Sequence, residues 1–232
     1  MLKYWVWLSE LKGLRNQTKL ALLRRFGDPE SIFYADPDEL SLTEGADLSQ
    51  LKLLENHELA QADRILADCQ RLDIGLLTFS DAAYPGRLKN IYDPSVLLYY
   101  KGKLPLVGTR DCTPYGVNCA EKLGFGLASG GAVVVSGLAK GIDAAATRGA
   151  LRAGGVTIGV TGNGLDVHYP YESRYLYEDV AVSGVLFSEY PPGTEPAPGH
   201  FPVRNRILSG LSLAALVVEA PERSGALITA MT

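Results

Sequence analysis

Two short segments of the sequence set glycine beside a cation: Gly108-Thr109-Arg110 and Gly137-Leu138-Ala139-Lys140-Gly141. Glycine lets backbone N–H groups face an anion with no Cβ in the way, and a helix that starts there adds the positive end of its dipole. A fixed Arg or Lys then completes a phosphate seat. Gly162-Asn163-Gly164 has the same loop character without the cation. Further on, Phe201-Pro202-Val203-Arg204-Asn205-Arg206 places two arginines about an asparagine, at the start of a helix after a proline-rich loop. Guanidinium groups grip phosphate oxygens two at a time. Each of these arginines has a second use, as a structural ion-pair partner of Glu189 or Glu219.

Other chemistries are poorly served. Gly162-Asn163-Gly164 lacks the third glycine of a dinucleotide fingerprint, Gly124-Phe125-Gly126 falls inside a predicted helix, and there is no G-x-x-x-x-G-K-[ST]. No nicotinamide or ATP cofactor is expected. Cys69, Cys112 and Cys119 have no C-x-x-C spacing, and His57, His168 and His200 are scattered. Neither a disulfide framework nor a metal site is expected from them.

The elements that would hold these loops follow from hydrophobic periodicity. Short apolar runs at 75–79, 96–100, 132–136, 157–161, 185–188 and 213–219 read as strands. Helical patterns fill 114–129, 142–153, 173–182, 205–211 and 224–230. Continuous Val/Leu-rich strands with helical crossovers predict a mostly parallel sheet covered on both faces, an α/β, Rossmann-like domain. Such sheets bind ligands outside the carboxyl ends of their strands, where the glycine loops fall. Residues 1–72 differ. Leu8, Leu11 and Leu14, then Leu20, Leu22, Leu23 and Phe26, recur at helical spacing, and Gly27-Asp28-Pro29 is a stop and restart. Along 57–72, Leu59, Ala62, Ile65, Leu66 and Cys69 share one helical face. The expected domains are therefore 1–72, all helical, and 73–232, Rossmann-like.

Composition bounds the rest. The 232 residues are 47% hydrophobic and 21% charged, which is globular. No run of 18 apolar residues exists, and the N-terminus lacks a signal-peptide pattern, so no membrane span is expected and the cytoplasm is the expected compartment. The net charge of −4 is unevenly placed: residues 1–100 hold 11 Lys/Arg against 15 Asp/Glu, and residues 101–232 hold 11 against 11. The second part can still focus its cations into one site.

Six blocks in order carry a resemblance: VGTR (107–110) with Tyr115-Gly116, SGLAKGID (136–143), GNGLDVHYP (162–170), SEYPPGT (188–194), FPVRNR (201–206) and SGALITA (224–230). Together they resemble the DNA-processing protein A family, DprA, also called Smf. The resemblance implies a sequence-independent single-stranded DNA-binding protein of natural transformation, not an enzyme, which protects incoming strands and helps load the RecA recombinase. It also implies a homodimer, an extended Rossmann domain, and a SAM-like character for the helical domain. By motif, Arg110 and Lys140 would contact DNA phosphates, and Gly108, Thr109, Ser136 and Gly137 would supply backbone or hydroxyl donors. Arg204, Asn205 and Arg206 would join them. Single-strand binding also needs aromatic platforms. Tyr115, Tyr169, Tyr171, Tyr175 and Phe201 lie in or near the blocks.

Departures from the family pattern are specific. Thr147 stands where members usually have His, and Asn163 where they often have Cys. The chain is also shorter than members before Gly108, and members continue past the equivalent of Met231-Thr232. Residues 11–27 resemble a helix-hairpin-helix, but only Gly13 of its glycine pair is present. With the acidic excess in residues 1–100, the helical domain reads as a packing or partner-binding module. Two alternatives to DNA binding stand beside the main reading. One is a Rossmann-like nucleotide-monophosphate hydrolase, with Glu189 and Glu219 as isolated acid/base candidates. The other is a recombinase adaptor without DNA affinity.

Overall fold

The structure, a computed structural model, describes residues 1–102, 114–216 and 218. The chain forms two compact units. The first comprises Met1–Tyr84 and Tyr92–Leu98; the second comprises Pro85–Ile91 and the described residues from Tyr99 onward.

The first unit is built from short helices: α1 (Leu2–Glu10), α2 (Asn16–Phe26), α3 (Pro29–Phe33), α4 (Pro37–Ser41), a 3-10 turn at Leu48–Glu55, and α5 (Ala60–Leu72), followed by β1 (Gly75–Thr78). Local chemistry sets the breaks. Gly27, at φ 86°, ends α2. Asp28 then accepts from the Ser31 backbone N–H at 2.9 Å and caps α3, whose first position is Pro29. That backbone hydrogen bond holds the Asp28 carboxyl below its usual range. Asp36 caps α4 in the same way through the Asp38 N–H. The interior is aromatic, with the Phe33 ring 5.1 Å from Tyr4 and 5.0 Å from Trp7. On α5, Ala62, Ile65 and Cys69 are buried, as the periodicity requires.

The second unit holds α6 (Gly86–Lys89), the main length of β2 (Leu97–Gly102), α7 (Pro114–Ser129), β3 (Val134–Ser136), α8 (Ile142–Arg152), β4 (Thr157–Thr161), a 3-10 turn at Tyr171–Ser173, α9 (Arg174–Ser183), β5 (Val185–Ser188) and α10 (His200–Leu211). Its strands run in the order β2-β5-β4-β3, and β1 adjoins β2 where that strand begins in the first unit. The pairs β3–β4 and β4–β5 are parallel, with Val135 opposite Ile158 and Val160 opposite Phe187. Val135, Ile158, Val160 and Phe187 form the sheet's buried interior. β2 runs antiparallel to β5, Tyr99 opposite Ser188 and Gly102 opposite Val185, so the sheet is mixed.

Close backbone approach explains the glycine-rich helix that mimics a fingerprint. A Cβ on Gly124 of α7 would lie 2.2 Å from the Ala146 carbonyl, and one on Gly149 of α8 would lie 2.0 Å from that of Glu121. The two helices pack backbone against backbone at these points.

Two expected elements differ. α10 starts at His200, five residues before the expected 205, so the FPVRNR block lies within the helix rather than ahead of it. Pro202 is tolerated there because the first turn needs no intrahelical N–H donor. Residues 213–216, read as the start of a strand, have no strand pairing, and Leu213 is exposed. Val218 packs against Ala120, Ile142 and Ala145. The expected helix at 224–230 lies outside the described residues. Among the described residues, no helix is long and apolar enough to cross a membrane, and no group of His, Cys, Asp and Glu is placed to hold a metal ion.

Candidate nucleic-acid interface

The loop from β3 to α8 is the best-defined part of the sheet's carboxyl edge. Ser136 is fully buried, and its Oγ accepts from the Leu138 N–H at 3.1 Å. Leu138 takes a left-handed conformation, φ 54°, with its side chain buried. The Ala139 N–H donates to Asp143 Oδ2 at 3.4 Å. Gly141, at φ 96° and ψ −125°, turns the chain into α8 in a conformation suited to glycine. Lys140 is what this frame presents: its side chain is 78% exposed, and its Nζ lies 3.8 Å from Glu172 Oε1. Thr147, standing in the family's histidine position, is buried in α8 and donates to the Asp143 carbonyl at 2.8 Å.

The loops after β4 and β5 are laced together. The Asn163 carbonyl accepts from Thr161 Oγ1 at 2.7 Å and from Ser188 Oγ at 2.8 Å. The Asn163 side chain, itself buried, donates to the carbonyls of Gly164 at 3.0 Å and Val167 at 2.5 Å. The Asp166 carboxylate accepts from the Gly193 N–H at 2.8 Å, and the Gly164 N–H donates to Thr194 O at 2.9 Å. Tyr190 stacks on His200, with centroids 4.0 Å apart, and His200 Nδ1 lies 2.9 Å from the Gly162 carbonyl. Burial, reinforced by the adjacent Glu189 carboxylate and opposed by Arg206, pushes the Tyr190 phenol up to about 12.

The arginine block divides by function. Arg204 is 1% exposed, and its guanidinium donates inward, to the carbonyls of Gly137 and Val160 and to Asn205 Oδ1. Asn205 is buried beside it. Arg206 Nη2 pairs with Glu189 Oε1 at 2.5 Å, both side chains 16% exposed. Of the two uses the sequence left open for Arg206, the structure adopts the ion pair. The Glu189 carboxylate is engaged in that pair. Thus Ser136, Gly137, Arg204 and Asn205 are buried and serve the frame, while Lys140 faces solvent. Gly108, Thr109, Arg110 and Glu219 lie outside the described residues, as does the side chain of Tyr115.

Beyond Lys140 runs a strip of aromatic faces and cations. Arg174 Cζ lies 4.3 Å from the centre of the exposed Tyr171 ring. Arg148 Nη1 donates to the hydroxyl of exposed Tyr175 at 2.9 Å. Tyr169, half exposed, stacks on Phe201 at 5.6 Å. Arg148, Arg174 and Glu172 escaped the sequence reading. For Arg174 a signal existed: an arginine three residues after Tyr171 at the opening of a helix sits over that ring. For Arg148 there was none, because its neighbour comes from α9 through tertiary packing. An exposed guanidinium over one tyrosine ring, a half-buried one at another tyrosine's hydroxyl, and an exposed lysine nearby form a surface that can hold phosphates and stack bases.

Comparison with known proteins gives a consistent pattern. The family model for DNA recombination-mediator protein A matches residues 75–232. Protein Smf of Synechocystis sp. is 39% identical over 240 residues, covering 98% of this chain and 60% of its own length. DNA processing protein DprA of Streptococcus pneumoniae is 48% identical over 157 residues, 64% of this chain and 55% of its own length. DNA processing protein DprA of Bacillus subtilis is 42% identical over 176 residues, 72% of this chain and 59% of its own length. The chain thus spans 55% to 60% of the length of these curated relatives. Among solved structures, the X-ray structure of DNA processing protein A from Streptococcus pneumoniae superposes with a TM-score of 0.82 at 34% identity, over 99% of this chain and 82% of that one. DNA processing protein A from Helicobacter pylori, whose structure addresses its own single-stranded DNA binding mode, gives a TM-score of 0.60 at 30% identity, over 67% and 74% of the two chains.

Proposed function

The chain belongs to the DNA recombination-mediator protein A family, and from that premise we propose that it binds single-stranded DNA without regard to sequence, through the carboxyl edge of its second unit and the strip beside it. The observation that carries this reading is the alternation of cations and exposed aromatic faces: exposed Lys140, Tyr171 under exposed Arg174, and Tyr175 with half-buried Arg148. Phosphates take the cations and bases take the rings, and neither contact depends on base identity. Gly108, Thr109 and Arg110 belong to the same proposed site by motif. In this reading the protein is a binding protein rather than an enzyme. It protects incoming strands in the cytoplasm, acts as a homodimer, and passes DNA to RecA during transformation. Residues 1–72 are its helical, SAM-like domain and residues 73–232 its extended Rossmann-like domain. The acidic excess of residues 1–100 suits the helical part to protein contacts rather than DNA.

The test is fluorescence anisotropy with an oligo-dT strand and its matched duplex across a salt series. Preference for the single strand is expected, with a log–log salt slope of roughly −2 to −3.5, at about −0.7 per phosphate neutralised. Lys140→Ala and Arg174→Ala should each weaken binding about five- to tenfold and flatten that slope by about 0.7. Absence of binding at low salt, or duplex preference, would overturn the reading.

A further inference from the structure

Arg204 is the least expected cation in the molecule. It is almost completely buried, and its partners among the described residues are an amide oxygen and two carbonyls rather than a carboxylate. Its Nη1 donates to two carbonyls on neighbouring strand ends, Gly137 after β3 at 3.3 Å and Val160 in β4. Its Nε donates to Asn205 Oδ1 at 3.3 Å, and its Cζ lies 6.0 Å from the centre of the Phe201 ring. Its Nη2 is buried with no hydrogen-bond partner among the described residues. A buried cation that meets only neutral acceptors among the described residues is a poor device for stability on that side, since a packed apolar side chain avoids the desolvation cost. A rigid fork has a property that an apolar side chain lacks: it fixes where carbonyls point.

The carbonyl it fixes matters for the surface above. The peptide joining Gly137 to Leu138 is held at both ends. Its oxygen accepts from Arg204, and its N–H donates to Ser136 Oγ. Leu138 follows in the left-handed region, which a γ-branched residue keeps only when its surroundings impose it. Ala139 is then tied to Asp143, and Gly141 starts α8. The loop is thus tied from inside at Gly137, Leu138 and Ala139, and Lys140, the next residue, is the side chain it delivers to solvent. Release of the Gly137 carbonyl would let that peptide rotate, relax Leu138, and move Lys140.

We infer that Arg204 is a positioning residue for DNA binding: without touching DNA, it holds the Gly137 carbonyl and through it the loop that presents Lys140. Its consequence for DNA rests on the reading above; its hold on the loop does not. Two measurements separate these. Trypsin cleavage at Lys140–Gly141, followed by mass spectrometry on the full chain, should be slow in the native protein. In Arg204→Met it should rise about tenfold at that bond while cleavage after Arg24 and Lys122 keeps its rate, because proteolysis follows the local opening population. Arg204→Lys keeps the charge, reaches fewer acceptors, and should restore part of the protection. It also serves as the readout if the methionine variant does not fold. In oligo-dT binding, Arg204→Met should weaken affinity about as much as Lys140→Ala, and the double variant should be no weaker than Lys140→Ala alone. Multiplying effects, with a further slope loss of about 0.7, would mean that Arg204 meets a phosphate directly and would overturn the inference. Uniformly faster cleavage with unchanged affinity would reduce Arg204 to a purely structural role and overturn it as well. If the native protein binds no oligo-dT, the DNA reading fails, and the cleavage pattern still decides whether Arg204 governs the loop.

Discussion

Arg204 and Arg206 in α10 and the trio Lys140, Arg148 and Arg174 are cations of one structural unit put to opposite uses. The α10 pair is turned inward. Arg204 spends its donors on the carbonyls of Gly137 and Val160, and Arg206 pairs with Glu189 where both side chains are 16% exposed. The trio is turned outward, resting on a tyrosine ring, a tyrosine hydroxyl and a distant carboxylate. Residue type does not separate the two sets; burial does. A desolvated cation is committed to the acceptors it has, because losing one leaves charge in a low-dielectric interior. A solvated cation on an aromatic face gives up little when a phosphate replaces water.

The largest expected effect tests the inner set. Glu189→Gln removes the carboxylate from a partly buried ion pair and should cost about 2–3 kcal/mol of stability in urea unfolding. The affinity of the folded protein for oligo-dT should stay near the native value. Arg148→Ala, by contrast, should leave stability within about 0.5 kcal/mol. Equal stability losses in the two variants would erase the distinction between frame and surface.

Much of the frame is written locally. The ends of α7, β4 and β5 were legible because short apolar runs set beside a glycine, and a long helical pattern opened by Pro114, leave few alternatives. α10 was read five residues short because Pro202 resembles loop punctuation, although a first helical turn accepts it. The site was less legible. Ser136 and Gly137 look like outward donors in any glycine loop after a strand, and nothing in their spacing announces that Ser136 accepts from Leu138 or that Arg204 arrives from α10 on the Gly137 carbonyl. Glu189 as a partner for Arg206 was one of two choices, since nothing in spacing brings position 206 to position 189. The pairing of Arg148 with Tyr175 likewise needs the packing of α8 against α9. Sequence period reports the face of an element, not which element lies opposite.

A smaller effect comes from the phenol beside the inner pair. The Tyr190 pKa rises from its ordinary 10.0 to about 12, chiefly through burial and then through Glu189. The folded state therefore favours the neutral phenol. That contribution is fully present below about pH 10, the unfolded value, and is lost as pH rises from there through the folded value. Thermal unfolding of the native protein should fall more steeply above pH 10 than that of Tyr190→Phe. Parallel curves would show that the inner site is open to solvent, contrary to the comparison.

The smallest effect sharpens the comparison most, because it repeats the change made at Glu189 on the outer surface. Glu172 lies 3.8 Å from Lys140, with side chains 65% and 78% exposed, so the pair contributes little to stability. Its carboxylate still stands where a phosphate would approach, and it both repels that phosphate and occupies the ammonium. Glu172→Gln removes both effects and leaves Lys140 in place. Oligo-dT affinity should tighten about two- to threefold at about 0.05 M salt, and the gain should vanish near about 0.5 M, where exposed charges are screened within a few ångströms. Thermal stability should not move. One Glu→Gln change would then weaken the frame and the other improve binding, and burial alone would account for the difference. Unchanged or weaker binding in Glu172→Gln at low salt would place Lys140 outside the phosphate path.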